Sequence, residues 1–181
     1  MNSSHIYLLT GEPRVGKTST IKKIIDTLGR ERCGGFYIQE IHAQGDRRGF
    51  QLITLDGQTG TLAHIDLDSP ILVGRYGVNL DCLNSIGIAA IDKALATKPL
   101  IIVDEIGPMQ AYSEPFKKAI MDILASSRPL LATIALEPHP WLDELKQQKG
   151  VELYTLNPEN QKQIIDTLTD RLASLLNKDR F

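Results

Sequence analysis

The chain has 181 residues, of which 42% are hydrophobic, 23% charged and 6% aromatic; this balance excludes a disordered chain, a collagen-like repeat or a coiled-coil rod, and suits one globular domain over residues 1–181. A formal charge of −2 argues against a broadly basic surface for duplex nucleic acid, because neutralising phosphates needs clustered Lys and Arg. No apolar run reaches the ~18 residues that mark a membrane span, and the opening MNSSHIYLLT lacks the basic start and long apolar stretch of a signal peptide.

A cytoplasmic location follows as the default, and the glycosylation triplet Asn2-Ser3-Ser4 is then a chance match. Cys33 and Cys82 lack the paired spacing of a zinc or redox motif and read as reduced thiols. His5, His42, His64 and His139 form no ligand spacing.

In chain order, HIYLLT at residues 5–10 is a short apolar run bounded by Gly11 and predicts a buried first strand. Ile21, Ile24, Ile25 and Leu28 recur at helical spacing, and Gly29 suits a helix end, so a helix is predicted over 17–29. Residues 34–68 break into short pieces separated by Gly and Asp, which predicts an inserted region of β-hairpins set into or beside the main sheet. A loop with Gly74, Arg75, Tyr76 and Gly77 leads to a predicted helix over 83–96. LIIVD at 100–104 is the most strand-like run in the chain. A helix over 115–125, a strand over 130–136, a short helix containing Trp141, a strand over 151–156 and a final helix follow. Strand, glycine-rich turn and helix, then repeated alternation, predict an α/β fold with a mainly parallel sheet flanked by helices.

Gly11-Glu12-Pro13-Arg14-Val15-Gly16-Lys17-Thr18 fits GxxxxGK[ST] and lies between a predicted strand and a predicted helix, the context that this phosphate-binding loop requires. The two glycines let backbone approach oxygens that a side chain would block. Amides from Val15 to Ser19 would then face the phosphates, aided by the positive end of the helix. Lys17 would reach the β and γ phosphates, and the Thr18 hydroxyl would ligate Mg²⁺.

The second stretch is Ile101, Ile102, Val103, Asp104, Glu105, Ile106 and Gly107, assigned with the loop to the nucleotide site. A carboxylate leaving a buried strand at its carboxyl end emerges where ligands bind in a parallel sheet. Asp104 is placed to hold the Mg²⁺ shell as a Walker B aspartate does. Glu105 would project on the opposite side of the pleat and orient or deprotonate the attacking water. Asp104-Glu105-Ile106-Gly107 also satisfies the DxxG pattern of switch GTPases, in which Gly107 would donate its amide to the γ phosphate. The guanine-reading NKxD is missing after the later strands, however, and Asn177-Lys178-Asp179 has the wrong spacing.

These motifs, with GEPRVGKTSTI at 11–21, GGFYIQEI at 34–41, RRGFQLITLDG at 47–57, VGRYGVN at 73–79, VDEIGPM at 103–109 followed by Ser113 and Phe116, and LNPEN at 156–160, resemble the thermophile-type nucleoside triphosphatases, also called cancer-related NTPases. The resemblance covers most of the chain and implies a RecA-like P-loop core. It also implies Mg²⁺-dependent hydrolysis of ATP, GTP, CTP and UTP to diphosphate and phosphate, with weak base discrimination. Two positions depart from the family pattern. Gln161 follows Asn160 where arginine is common, and Gln110 stands where glutamate is common.

Hydrolysis of this kind needs positive charge on the transition-state oxygens. Arg75, between glycines suited to a segment that closes over the phosphates, is the first candidate; Arg47 and Arg48 come second, and Arg14 lies in the loop itself. Asn157-Pro158-Glu159-Asn160 could touch the base or could simply start the last helix. Trp141 suits packing on the core better than stacking on a base. A nucleotide or small-molecule kinase and a slow nucleotide-gated interaction module are the rival readings. The mild net charge is compatible with a polyanionic substrate if positive charge is concentrated in one loop and one helix terminus.

Overall fold

The computed structural model describes residues 5–178; the Asn2-Ser3-Ser4 triplet and Asp179 lie outside them. β1 (Ile6–Thr10) and β8 (Leu130–Ile134) are buried along their whole length, and β7 (Leu100–Ile106) nearly so. Such unbroken apolar runs need cover on both faces, which a parallel sheet between helix layers supplies. These three strands form the centre, parallel to one another, with β9 (Val151–Thr155) beyond β1 and the start of β2 (Cys33–Ala43) beyond β7.

The pleat sends alternate residues to opposite faces. Tyr7, Leu9, Leu100, Ile102 and Leu131 pack against α1 (Lys17–Leu28) and α6 (Gln161–Lys178), whose Ile21, Ile24, Ile25 and Leu28 and Ile164, Leu168, Leu172 and Leu176 repeat every three or four residues. Ile6, Leu8, Ile101, Val103, Leu130, Ala132 and Ile134 face the other layer, formed by α3 (Ile88–Thr97), α4 (Glu114–Ala125) and α5 (Pro140–Lys146). Each fully buried Leu, Ile or Phe contributes on the order of 1.5–3 kcal/mol of transfer free energy, so these two clusters hold the sheet rigid beneath its carboxyl edge.

The region 34–68 is set into the sheet, with no separate layer. Cys33 to Phe36 of β2 pair in parallel with Leu100 to Val103, and the same strand then runs on as the first arm of an antiparallel hairpin with β3 (Asp46–Thr54). β4 (Thr59–His64), β6 (Tyr76–Val78) and β5 (Leu72–Val73) extend it, giving among the described residues one nine-stranded sheet in the order β5-β6-β4-β3-β2-β7-β8-β1-β9. Gly35 explains the double glycine at the junction. Its φ is +115°, and a Cβ there would lie 1.9 Å from the Ile102 carbonyl oxygen.

The segment around Arg75 differs from the loop expected. It is the turn between β5 and β6, with Tyr76 and Gly77 buried, because β6 adds to β4 and the Tyr76 ring packs on Phe50. The helix expected over 83–96 begins earlier, as α2 (Leu80–Cys82), a π-helical turn at Leu83–Gly87 and α3, with the Asn79 side chain capping the Cys82 amide.

Candidate active site

The parallel strands end on one edge, so the loops after β1, β7 and β8 share it. A cleft of about 1360 Å³ opens there, lined by residues of the 11–19 loop, by Asp104 and Glu105, by the 135–138 loop, and by the hairpin through Glu40, Arg47 and Tyr76.

The phosphate loop wraps into the start of α1. Gly16 adopts φ +105° immediately before the helix, a conformation that favours glycine. The first intrahelical bond runs from the Thr20 amide to the Gly16 carbonyl at 2.9 Å, so the amides of Lys17, Thr18 and Ser19 belong to the open first turn, the ready anion site of a helix. The Val15 amide differs from expectation, since it donates to the Glu12 carbonyl at 3.2 Å. Lys17 curls over the loop, its Nζ donating to the carbonyls of Gly11 at 2.8 Å and Glu12 at 3.2 Å. Glu12, Pro13 and Arg14 are exposed on the cleft rim, Arg14 with φ +65°. Behind the loop, Gln161 donates to the Thr20 hydroxyl at 3.1 Å, and its amide nitrogen stands 3.0 Å from where a Gly16 Cβ would be. Gln161, one of the two departures from the family pattern, therefore braces the loop.

Asp104 is only 3% exposed. The Thr133 hydroxyl donates to its Oδ1 at 2.6 Å, while Oδ2 is buried without a hydrogen-bond partner. Burial pushes its carboxyl above the usual range, opposed by the hydroxyls of Thr133 and Thr18 and by the Lys17 ammonium. Glu105 lines the same cleft as Asp104, where the sequence led us to expect opposite sides of the pleat. The β7–β8 register slips between Val103 and Ile106, and such an irregularity re-aims side chains; the Asp104–Glu105 peptide is cis. Burial, then the neighbouring Asp104 charge, raise the Glu105 carboxyl to about 7, with Lys17 opposing and Glu137 adding to the rise. It is therefore poised to exchange protons near neutrality.

Other expected site residues lie elsewhere. Ile101, Ile102, Val103 and Ile106 are core residues, at most 1% exposed, and support the site from below. The Gly107 amide donates to the buried Gln110 Oε1 at 3.0 Å, so it is committed to that turn. Arg75 is exposed and does not line the cleft; its Nη2 donates to the Arg47 carbonyl at 2.6 Å. Arg48 pairs with Asp66 at 3.4 Å. Asn157 accepts from the amides of Glu159 and Asn160 while Asn160 accepts from that of Asn157, which is helix-start chemistry. Trp141 packs edge-on against Phe116 with ring centroids 6.2 Å apart. Both cysteines are free and buried, and no cluster of three or more metal-ligating His, Cys, Asp or Glu occurs among the described residues.

Thr133, Glu137, Glu40 and Tyr76 join the site only through the fold. Thr133 did carry a signal, a single hydroxyl inside the otherwise apolar run LLATI. Glu40 and Tyr76 carried none, because they reach the cleft only through strand pairings distant in sequence.

A family model described as NTPase matches residues 6–169. A nucleoside-triphosphatase THEP1 of Thermotoga maritima is 40% identical over 161 residues, covering 89% of this chain and 91% of the relative. One of Methanocaldococcus jannaschii is 37% identical over 92% of this chain and 96% of its own. Among solved structures, the crystal structure of THEP1 from Aquifex aeolicus superposes with a TM-score of 0.84 at 33% identity, over 92% of this chain and 98% of the other. The solution structure of a human cancer-related nucleoside triphosphatase gives 0.79 at 28% identity, over 94% and 98%.

Proposed function

Since the chain belongs to the NTPase family and is accordingly a nucleoside-triphosphatase, a hydrolase, we propose that it hydrolyses nucleoside triphosphates with little regard for the base, through Mg²⁺, in the cleft at the carboxyl edge of its sheet. The observation that carries this reading is the meeting, in one cleft, of an open helix first turn, the Lys17 ammonium and the Asp104-Glu105 pair.

The donor set fits a divalent cation. Asp104 presents a buried carboxylate oxygen without a partner, Thr18 faces it across the helix start, and hard oxygen ligands of this kind suit Mg²⁺. When bound, the ion would neutralise charge on the β and γ phosphate oxygens. Lys17 and the amides of the first helical turn would hold the β and γ phosphate oxygens. Glu105 takes a proton from a water that attacks the γ phosphorus; the bond from that phosphorus to the bridging oxygen breaks, leaving nucleoside diphosphate and phosphate. Residues 1–181 act in this scheme as one domain in the cytoplasm. No helix among the described residues is long and apolar enough to cross a membrane.

Phosphate release from ATP, GTP, CTP and UTP, with and without Mg²⁺, tests the proposal. Comparable release from all four that stops with EDTA is the expected result, and Glu105→Gln should lower it by at least a hundredfold while nucleotide still binds. Release confined to one base, or unchanged in EDTA, would refute it. Phosphate appearing on an added nucleoside in place of water would favour the kinase reading.

A further inference from the structure

Four cationic side chains line the cleft: Arg14, Lys17, Lys22 and Arg47. Arg14 and Lys17 belong to the phosphate loop and helix start. Lys22, on α1, rests over the Tyr37 ring at 4.6 Å from its centroid. Arg47 comes from the other side, from β3, four strands from β1 in the sheet.

Arg47 is braced for a charged task. Its side chain is 33% exposed, and its guanidinium lies 5.2 Å from the Phe50 ring centroid and 5.6 Å from that of Tyr76, contacts that orient a planar cation. Nε donates to the Tyr76 hydroxyl at 2.9 Å and Nη1 to Glu40 Oε1 at 3.1 Å. The Arg75 guanidinium in turn holds the Arg47 carbonyl, so the β2–β3 and β5–β6 turns clasp each other. The arm that carries Arg47 has a place to bend. The β2–β3 register slips between Ile41 and His42, and the tip turns through Gln44 and Gly45, with φ +53° and +79°.

We propose that Arg47 is the cation that the hairpin wall delivers to the γ-phosphate in the transition state, with Glu40 competing for it and Arg75 positioning its backbone. The inference rests on the hydrolytic reading above and adds no covalent step. Arg47 remains protonated throughout and exchanges one ion-pair partner, the Glu40 carboxylate, for phosphate oxygens that gain charge as the bond to the bridging oxygen breaks. Arg75, which lies off the cleft, is the less suited of the two arginines.

The test combines turnover with titration calorimetry of Mg·ADP, with and without aluminium fluoride, which mimics the phosphoryl group in transit. Arg47→Ala should lower kcat by about 10²–10³-fold or more, at least the loss seen on removing one transition-state hydrogen-bond donor. It should leave ADP affinity within about threefold and abolish the tightening that fluoride gives the wild type. Arg47→Lys, which keeps the charge but not the fork, should recover part of both; it also serves if the alanine variant unfolds early. Glu40→Gln should raise kcat severalfold. Arg48→Ala should match wild type. Undiminished kcat and fluoride tightening in Arg47→Ala, equal losses of ADP and ADP-fluoride affinity, or the full loss in Arg75→Ala instead would each overturn the assignment. A wild type that binds nucleotide but releases no phosphate would overturn the hydrolytic reading itself, a result distinct from these.

Discussion

A carboxylate oxygen buried without a partner is costly, and Asp104 keeps one while its other oxygen depends on Thr133. Removing that hydroxyl strips Oδ1 of its partner, at a cost of about 1–3 kcal/mol. Thr133→Val should therefore lower unfolding stability in urea at pH 7 by that amount, and Thr133→Ser should restore most of it; an unchanged midpoint for the valine variant would show that the bond contributes nothing. Glu105 makes the opposite kind of prediction. Its carboxyl ionises near 7 in the folded protein and near its ordinary 4.5 when unfolded. Between those values the unfolded chain is ionised and the folded one is not, so stability from this group is present below 4.5 and is lost as pH rises to 7. Glu105→Gln should thus gain Tm on the wild type from pH 5 to pH 8. A constant difference across that range would mean that Glu105 titrates normally. The position of Glu105 near the carboxyl end of a buried strand was legible in two adjacent letters after an apolar run, because that pattern is local. Its direction was not, since that depends on how β7 registers against β8.

The elements show where sequence patterns stop. The phosphate loop and α1 were legible almost to the residue, because glycine conformation, helix start and apolar spacing all lie within about twenty positions. β2 was legible as a strand, yet its double employment was not. Pairing Gly35 with Ile102 is a nonlocal choice that no periodicity records. Strands of two and three residues are too short to alternate, so Gly74 to Gly77 read as a loop in the sequence and Arg75 as a candidate to close over the phosphates. The β2 junction can be tested directly. Gly35→Ala would drive a Cβ into the Ile102 carbonyl at 1.9 Å and part β2 from β7, so we expect a loss of about 3 kcal/mol or more. Gly57→Ala, also at positive φ (+97°) but with nothing within 4 Å, should lose only about 1–2 kcal/mol. Equal urea midpoints for the two variants would mean that the sheet accommodates the junction by shifting.

At the scale of the whole molecule, the mild net charge of −2 suggested positive charge gathered at one loop, but the cleft is more balanced than that. Its four cations face five carboxylates: Glu12, Glu40, Asp104, Glu105 and Glu137. On the proposed reading a nucleoside triphosphate entering alone would bring its terminal phosphates close to Asp104 and Glu105, in a partly desolvated site where repulsion is poorly screened. On the same reading a divalent cation would relieve that conflict, with Asp104 among the residues that would hold it. Binding and metal should consequently be coupled, and because the cleft spans the sheet from β1 to the hairpin, binding should register as stability of the whole fold. With ATP and Mg²⁺ at a hundred times Kd the stabilisation is about 2.7 kcal/mol, or roughly 5–10 °C in Tm for a chain of this size. The same ATP in EDTA should give a small fraction of that shift, and Lys17→Ala should lose most of it even with Mg²⁺. Thermal unfolding followed by fluorescence reads all three conditions, and an ATP shift indifferent to EDTA would show that the carboxylates do not oppose the phosphates.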